Sequence, residues 1–288
     1  MDLTNYQEIT ALLQRHGFRF SKSMGQNFLT AAWVPERIAE EAELTGEDGV
    51  LEVGPGIGCL TEQLAKRAAV VNALELDRSL ENVLAETLAG YPNASVTFAD
   101  ALKTDLRAHC REKLGERPWK ICANLPYNVT TPLLTAFLEA ECFESITVMI
   151  QKEVAERLCA APGTKDYGAF TVLVNWYARA EKLFDVPPHC FVPQPKVTSS
   201  VVHLVRRTEA PAPVEDRDFF FRVVRAAFGQ RRKTLSNALS AGISGLERST
   251  AEECITAVGL PAQVRGERLS LSDFAALSNA LLTKIGKI

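Results

Sequence analysis

The stretch "LEVGPGIGCLT" at residues 51–61 decides the fold. An apolar segment ends there in three closely spaced glycines, Gly54, Gly56 and Gly58, and a segment with helical spacing, "LTEQLAKRA", follows. Glycines let the backbone approach a ligand closely, and the N-terminus of a helix presents unpaired N–H groups. The stretch therefore predicts a strand, a ligand-binding turn and a helix in immediate succession.

The same alternation continues to about residue 207. Seven apolar or alternating segments are typical of strands: 49–53, 70–76, 95–100, 119–124, 145–151, 181–188 and 196–207. Helical patterns lie between most of them, including "YGAFTVLVNWYARA" at 167–180. Strands that alternate with helices form βαβ units and hence a mostly parallel sheet. The sequence predicts an α/β fold with a doubly wound, Rossmann-like sheet of seven strands.

Charge and composition divide the chain into two parts. Residues 1–180 carry a net charge of −7 and residues 181–288 carry +4. The short segment "TEAPAPVED" (208–216) has the composition of a linker, and the patterns beyond it are helical. We expect a first domain over 1–207 with an N-terminal helical segment over 1–47, a linker over 208–216 and a small all-helical domain over 217–288.

Several classes of protein are disfavoured by composition. The start, "MDLTNYQEIT", lacks the basic and apolar stretches of a signal peptide, and no run approaches the roughly 18 apolar residues of a membrane span. The seven cysteines are scattered in apolar contexts, and the histidines form no cluster with cysteines and acids that is typical of a metal site. These features predict a cytoplasmic protein with reduced cysteines and no metal site.

Acidic residues at two strand ends point to an adenosine. Glu75 ends the second strand, 21 residues after Gly54, where a carboxylate can accept hydrogen bonds from both ribose hydroxyls. Asp100 ends the third strand and could contact the adenine. A dinucleotide site expects G-x-G-x-x-G, whereas Cys59 occupies the position of its third glycine. An NAD oxidoreductase is therefore disfavoured, although a plain glycine turn with acidic strand caps remains an alternative.

"ICANLPYNV" (121–129) ends the fourth strand beside this site. With S-adenosyl-L-methionine as cofactor and an exocyclic base amine as acceptor, the side chain of Asn124 and the backbone carbonyl of Leu125 could accept the two amine N–H groups. Pro126 would hold the loop rigid, and Tyr127 would stack on the base. Catalysis would then rest on orientation and electrostatics without a strong general base. The alternative is a simple strand terminator.

Motifs along the chain resemble those of one family, the bacterial small-subunit (16S) rRNA adenine N6-dimethyltransferases. In order they are "SKSMGQNFL", "LEVGPGIGCLT", "NLPYNVTTPLL", "MIQKEVAERL", "PGTKDYGAF", "FDVPPHCFVPQPKVTSSVVHL" and "RAAFGQRRKTLSNAL". The resemblance implies an S-adenosyl-L-methionine-dependent methyltransferase domain over 1–207 and an RNA-binding helical domain over 217–288.

The resemblance also implies roles for single residues. Asn27 and Leu29 would close over the cofactor, and Phe191 would stack on the target adenine opposite Tyr127. The cofactor would be bound by Gly54, Glu75, Asp100 and Asn124. The expected reaction is dimethylation of N6 of two adjacent adenosines in a 3′-terminal hairpin loop of 16S rRNA. The expected partner is an assembling small ribosomal subunit, on which the chain would act as a monomer with neither membrane nor metal.

Basic residues near the C-terminal end predict contact with RNA phosphates. Between residues 222 and 233 no acidic residue interrupts five basic ones: Arg222, Arg225, Arg231, Arg232 and Lys233. If this region forms one continuous helix, Arg222, Arg225, Arg232 and Lys233 lie on the side opposite an apolar face. They would then form a basic stripe. A solvated helix face is the alternative. Gln151 and Lys152 either face RNA or cap a helix, and the sequence leaves both open.

Two other functions stay open on the sequence alone. One is methylation of large-subunit rRNA, as in the macrolide-resistance family, which "PGTKDYGAF" and "QRRKTLSNAL" disfavour. The other is a non-catalytic RNA-binding factor in ribosome assembly, which the intact set Gly54, Glu75, Asp100 and Asn124 disfavours.

Overall fold

The computed structural model, which describes residues 1–18 and 26–286, contains a seven-stranded sheet. The strands are β1 (Phe28–Leu29), β2 (Gly49–Val53), β3 (Val70–Glu75), β4 (Ala94–Phe98), β5 (Trp119–Asn124), β6 (Ser145–Gln151), β7 (Ala178–Val186), β8 (Phe191–Val192) and β9 (Ser199–Arg206). Seven of them form this sheet in the order β4-β3-β2-β5-β6-β9-β7, and β1 and β8 form a separate two-stranded sheet. The predicted number of strands and the doubly wound class are confirmed.

Most of the sheet is parallel, and its central strands are buried. The five strands from β4 to β6 pair in parallel, whereas β9 runs antiparallel to β6. All five residues of β2 and the first six of β6 are buried, as a parallel sheet covered on both faces requires. The carboxyl ends of the parallel strands therefore meet at one edge, where ligands of such sheets bind.

Helices connect the strands and form the C-terminal part of the chain. Their bounds are α1 (Tyr6–Arg15), α2 (Trp33–Glu41), α3 (Cys59–Ala65), α4 (Glu81–Thr87), α5 (Leu106–Leu114), α6 (Thr130–Glu139), α7 (Lys152–Leu158), α8 (Ala169–Tyr177), α9 (Arg217–Gly229), α10 (Leu235–Gly242), α11 (Arg248–Ala257) and α12 (Leu271–Ile285). In the part of the chain that the structure describes, no helix is long and apolar enough to cross a membrane.

The bounds predicted for two helices are wrong. The helix expected over 167–180 ends at Tyr177, and β7 begins at Ala178 because "ARAEKLFDV" joins the sheet beside β9. The basic stripe is predicted as part of one helix, but α9 ends at Gly229 and α10 starts at Leu235. Glycine is a poor helix former, and residues 231–233 therefore lie in the connection between two helices.

The chain folds into two compact units. The first comprises Met1–Ala155 and Ala180–Arg206, and the second comprises Glu156–Arg179 and Arg207–Ile288. The second unit thus includes a segment, Glu156–Arg179, that precedes the predicted linker in sequence. The division of functions at 208–216 stays a prediction.

Candidate active site

One pocket in the first unit lies at the carboxyl ends of β2, β3 and β5. It is lined by every residue predicted to contact the cofactor: Asn27, Leu29, Gly54, Glu75, Asp100 and Asn124. Leu125, Pro126 and Tyr127 line it as well. Residues that are far apart in sequence meet here because parallel strands bring their carboxyl ends to the same edge.

The glycine turn between β2 and α3 forms one wall of the pocket. Gly54, Gly56 and Gly58 have φ values of +72°, +60° and +90°. Residues other than glycine rarely adopt this backbone conformation. A Cβ atom on Gly56 would lie 3.1 Å from the ring of Phe28. The turn therefore needs glycine at this position both for its backbone conformation and for the close packing of Phe28.

Glu75 projects its carboxyl group into the pocket from the end of β3. Its side chain is buried, and Oε1 accepts the backbone N–H of Asp77 at 2.8 Å. Burial raises the pKa of this carboxyl, and hydrogen bonds from the backbone N–H groups of Asp77, Gly56 and Leu76 oppose the shift. The carboxyl group is thus fixed in place before any ligand arrives.

A second buried acid, Glu52, was not predicted from the sequence. It lies on β2, is 1% exposed and lines the same pocket. The Thr61 hydroxyl donates to Oε2 of Glu52 at 2.6 Å. Burial raises the pKa of Glu52 to about 8; the Thr61 hydrogen bond opposes the rise and the charge of Glu75 adds to it. The sequence feature that could have identified Glu52 as a site residue is a charged residue inside the apolar segment "GVLEV".

The raised pKa of Glu52 predicts a pH-dependent stability. The folded state holds this proton up to about pH 8, whereas a glutamate in the unfolded chain loses it near the ordinary value of 4.5. The folded state therefore binds more protons between these values, and the free energy of unfolding should fall by a few kcal/mol as pH rises through this window. Glu52→Gln should remove that part of the slope.

Urea unfolding at pH 5.5, 7 and 8.5 measures this effect as the difference between wild type and Glu52→Gln. Glu81→Gln, which changes an exposed glutamate on α4, is the matched control. Its free energy of unfolding should depend on pH in the same way as that of wild type. If the Glu52→Gln and wild-type curves are also parallel, the carboxyl ionises in the folded state much as it does in the unfolded state.

Two exposed leucines supply apolar faces beside the acidic groups. Leu76 is 57% exposed and Leu102 is 43% exposed, and both line the pocket. They follow Glu75 and Asp100 closely in sequence, and Oδ1 of Asp100 accepts the N–H of Leu102 at 3.0 Å. Leu76 was not predicted as a site residue because its apolar context assigns it to the strand, whereas β3 ends at Glu75. Exposed apolar side chains at this place suit a flat aromatic ring.

The Asn-Leu-Pro-Tyr loop after β5 is fixed by its backbone. The N–H of Leu125 donates to the carbonyl of Met149 on β6 at 3.1 Å. The carbonyl of Pro126 accepts the N–H of Val129 at 3.2 Å and the hydroxyl of Thr130 at 3.0 Å. These bonds hold both sides of the turn, so its conformation is set by the protein itself.

Two acceptors in this loop remain available. Among the residues that the structure describes, no hydrogen bond engages the side-chain amide of Asn124 or the carbonyl of Leu125. Tyr127 is half-buried, and burial raises the pKa of its phenol while the hydrogen bond with Ser199 opposes the shift. The loop thus offers two carbonyl oxygens and one neutral aromatic ring.

A short N-terminal segment covers another side of the pocket. Gln26 donates from Nε2 to Oδ2 of Asp77 at 2.7 Å, which ties this segment to the loop after β3. The pairing of β1 with β8 places Leu29 opposite Phe191. Asn27 and Leu29 of this segment line the pocket, and their closing over a cofactor stays a prediction. Residues 21–25 of the "SKSMGQNFL" motif lie outside the described part of the chain.

Phe191 differs from its expected setting. It is 2% exposed, belongs to β8 and packs within the hydrophobic core of the first unit. Its ring does not contribute to the pocket lined by Tyr127, as far as the described residues show. Stacking of Phe191 on the target base stays a prediction, and it would require the ring to leave this core.

The predicted RNA-binding residues lie in the second unit and have different surroundings. Arg222 and Arg225 are exposed on α9, where the guanidinium of Arg222 lies 5.2 Å from the centre of the Phe219 ring. Arg231 forms an ion pair with Glu267 at 3.1 Å and also donates to the carbonyl of Lys165. Arg231 thus has internal partners. Arg232 and Lys233 are exposed and, within residues 1–18 and 26–286, form no ion pair.

Neither a metal site nor a reactive thiol is found at the pocket. The described residues contain no group of three or more histidines, cysteines or acids that could hold a metal ion. Cys59 lines the pocket, but burial raises the pKa of its thiol well above the ordinary value. The unengaged carbonyl oxygens of Asn124 and Leu125 can orient a substrate through hydrogen bonds.

Comparisons of sequence agree with the geometry. Residues 17–278 match the family model described as "Ribosomal RNA adenine dimethylase". The chain is 46% identical over 280 residues to "Ribosomal RNA small subunit methyltransferase A" of Geobacillus kaustophilus, with 96% of each chain covered.

Two solved structures also match most of this chain. The crystal structure of the 23S rRNA methyltransferase ErmE matches with a TM-score of 0.67 and 29% identity, covering 88% of this chain and 99% of that one. A dimethyladenosine transferase from Plasmodium falciparum matches with a TM-score of 0.73 and 24% identity, covering 86% and 95%. At 24% identity, the match to the Plasmodium falciparum protein supports the fold of this chain alone.

Proposed function

Since the chain belongs to the ribosomal RNA adenine dimethylase family, we propose that it dimethylates N6 of two adjacent adenosines in a 3′-terminal hairpin loop of 16S rRNA. Membership in the family makes the chain an rRNA methyltransferase. The proposal adds S-adenosyl-L-methionine as the methyl donor and the assembling small subunit as the partner. It also places the reaction in the cytoplasm, with the chain acting as a monomer.

The charge of the pocket supports this cofactor. The carboxyl groups of Glu75 and Asp100 line it beside Glu52, whose raised pKa keeps it uncharged near neutral pH, and no lysine or arginine is among its described lining residues. A pocket with this lining favours a cation over an anion. When bound, S-adenosyl-L-methionine supplies an electrophilic methyl group on a positively charged sulfur. Glu75 would hold the ribose hydroxyls, and Leu76 and Leu102 would flank the adenine.

The free acceptors of the loop carry the proposed mechanism. The lone pair of an adenine N6 amine is delocalised into the ring, so the amine is a weak nucleophile. For the first methyl transfer, the side chain of Asn124 and the carbonyl of Leu125 would each accept one N–H group and draw the nitrogen towards a tetrahedral geometry. The monomethylated nitrogen keeps one N–H group and would use one of these two acceptors in the second transfer. Tyr127 would stack on the base. These residues orient the amine, and a strong general base is not required.

The choice of subunit rests on the relatives. The small-subunit methyltransferase from Geobacillus kaustophilus is 46% identical, whereas the 23S rRNA methyltransferase ErmE is 29% identical. Both cover most of this chain. The greater identity favours the small subunit, and methylation of large-subunit rRNA is the second candidate function.

Methyl transfer to purified subunits tests the proposal. Unmethylated small and large subunits are incubated side by side with the purified chain and S-adenosyl-L-methionine labelled in its methyl group. The RNA is then digested and the labelled nucleoside identified. Label in N6,N6-dimethyladenosine from small subunits alone is the expected result. Label from large subunits would favour the second candidate. Cofactor binding without label in either subunit would mean that the acceptor is wrong.

Arg232 and Lys233 should contact RNA phosphates. The double variant Arg232→Ala/Lys233→Ala is expected to weaken binding to small subunits about tenfold at moderate salt. It should also make the dependence of affinity on salt less steep by about two charges. Filter binding over a series of salt concentrations measures both quantities.

A matched control removes two basic residues with acidic partners from the same unit. Arg248 is paired with Glu252 and Lys284 with Glu253, and Arg248→Ala/Lys284→Ala should bind RNA as wild type does. Equal losses in the two double variants would mean that net charge, and not the connection between α9 and α10, determines affinity.

A further inference from the structure

A hydrogen bond connects the Asn-Leu-Pro-Tyr loop to β9. The hydroxyl oxygens of Tyr127 and Ser199 lie 2.5 Å apart. Ser199 is the first residue of β9 and is fully buried, whereas Tyr127 lines the pocket. The hydroxyl end of the tyrosine side chain is therefore attached to the sheet at the edge of this pocket.

This attachment reaches one strand further than the backbone bond of the loop does. Leu125 is bonded to Met149 on β6, the strand next to β5. Ser199 lies on β9, on the far side of β6, where it pairs with Gln151. The loop is thus held to β6 through its backbone and to β9 through the Tyr127 side chain. These two points, on different strands, fix both the loop and the direction of the ring.

The hydroxyl of Tyr127 is poorly suited to proton transfer. Burial raises the pKa of the phenol, so it stays protonated at neutral pH. A neutral phenol is a weak base, and its oxygen already has Ser199 as a partner. Its contribution to the reaction must come from where it holds the ring.

We infer that Ser199 is a positioning residue, which sets the plane of the Tyr127 ring for stacking on the target adenine. This rests on the proposed function. A tyrosine ring that is held only by packing can rotate about its side-chain torsions, and a base stacked on it follows that rotation. The amine is then presented to Asn124 and Leu125 in productive geometry for a smaller fraction of the time. Loss of the bond should lower the rate of methyl transfer and leave cofactor affinity unchanged.

A double-mutant cycle tests the inference. Ser199→Ala and Tyr127→Phe remove the same hydrogen bond from opposite sides, and Tyr127→Phe keeps the ring. Each is expected to lower the single-turnover rate on small subunits about tenfold, with the cofactor Kd within twofold of wild type. Because one bond is lost in every case, the double variant should also be about tenfold slower, and not about a hundredfold slower.

Ser200→Ala is the matched control. Ser200 is the next residue of β9 and is equally buried, but its hydroxyl donates to Asp185 at 2.7 Å. This variant loses a buried serine hydroxyl without touching Tyr127, so thermal stability should fall as in Ser199→Ala while the methyl-transfer rate stays near that of wild type.

Three results would overturn the inference: equal loss of rate in Ser199→Ala and Ser200→Ala, additive effects of Ser199→Ala and Tyr127→Phe, or a wild-type rate in Tyr127→Phe. Failure of the proposed function is a separate result, because wild type itself would then transfer no methyl group to small subunits.

Discussion

Replacement of Asn124 by alanine should lower methyl transfer by about a hundredfold to a thousandfold, the usual cost of deleting one oriented polar group that stabilises a transition state. The side chain of Asn124 is one of two carbonyl acceptors at the carboxyl end of β5, and the carbonyl of Leu125 is the other. With a single acceptor left, the amine is no longer drawn towards tetrahedral geometry. RNA affinity should stay nearly unchanged because the phosphate contacts are proposed for the second unit.

The rate for Asn124→Ala is best measured in single turnover with saturating cofactor, since Asn124 is also expected to contact the cofactor. RNA affinity is measured separately by filter binding. Asn128→Ala changes an exposed asparagine of the same loop and should alter the rate by less than about tenfold. A rate for Asn124→Ala within that range would refute the proposed orientation of the amine.

Replacement of Glu75 by alanine should weaken binding of S-adenosyl-L-methionine by at least about a hundredfold. Hydrogen bonds to a charged group contribute about 1.5–3 kcal/mol each, and two ribose hydroxyls would lose their acceptor. The carboxyl group is buried and already fixed by the N–H of Asp77, so its loss removes an acceptor that is oriented before the cofactor binds.

Titration calorimetry with the purified chain and cofactor measures this loss directly. Glu81→Ala is the matched control, since it removes an exposed glutamate six residues further along the chain. Glu75→Gln tests the charge separately, because an amide still offers one acceptor oxygen. If Glu75→Ala binds within threefold of wild type, the cofactor does not use this carboxyl group and the ribose must lie elsewhere in the pocket.

Much of the fold could be predicted because the central strands are buried on both faces. Their sequences are short apolar runs between turns, and the prediction for 145–151 agrees with the bounds of β6. The end of α8 could not be found this way. "NWYARA" continues a helical pattern, and only pairing within the sheet makes Ala178 the first residue of β7.

The candidate site was predictable where its residues end strands. Glu75 and Asn124 each follow an apolar run, and the topology of a parallel sheet brings such positions together. Glu52 was not predicted because it lies within β2 and not after its end. Ser199 could not be found because its partner, Tyr127, is 72 residues away and no regular sequence spacing links the two residues. Likewise, the composition of the loop around Phe191 does not reveal that its ring is buried in the core.

One acceptor of the proposed mechanism belongs to the backbone, and this affects how the site responds to mutation. Substitution at residue 125 replaces a buried side chain and leaves the carbonyl oxygen in the chain. A genetic scan would therefore score Leu125 as a packing position, tolerant of other apolar residues of similar size, while Asn124 would be scored as essential. Half of the machinery that orients the amine would be invisible to such a scan, because no amino-acid replacement deletes a peptide carbonyl.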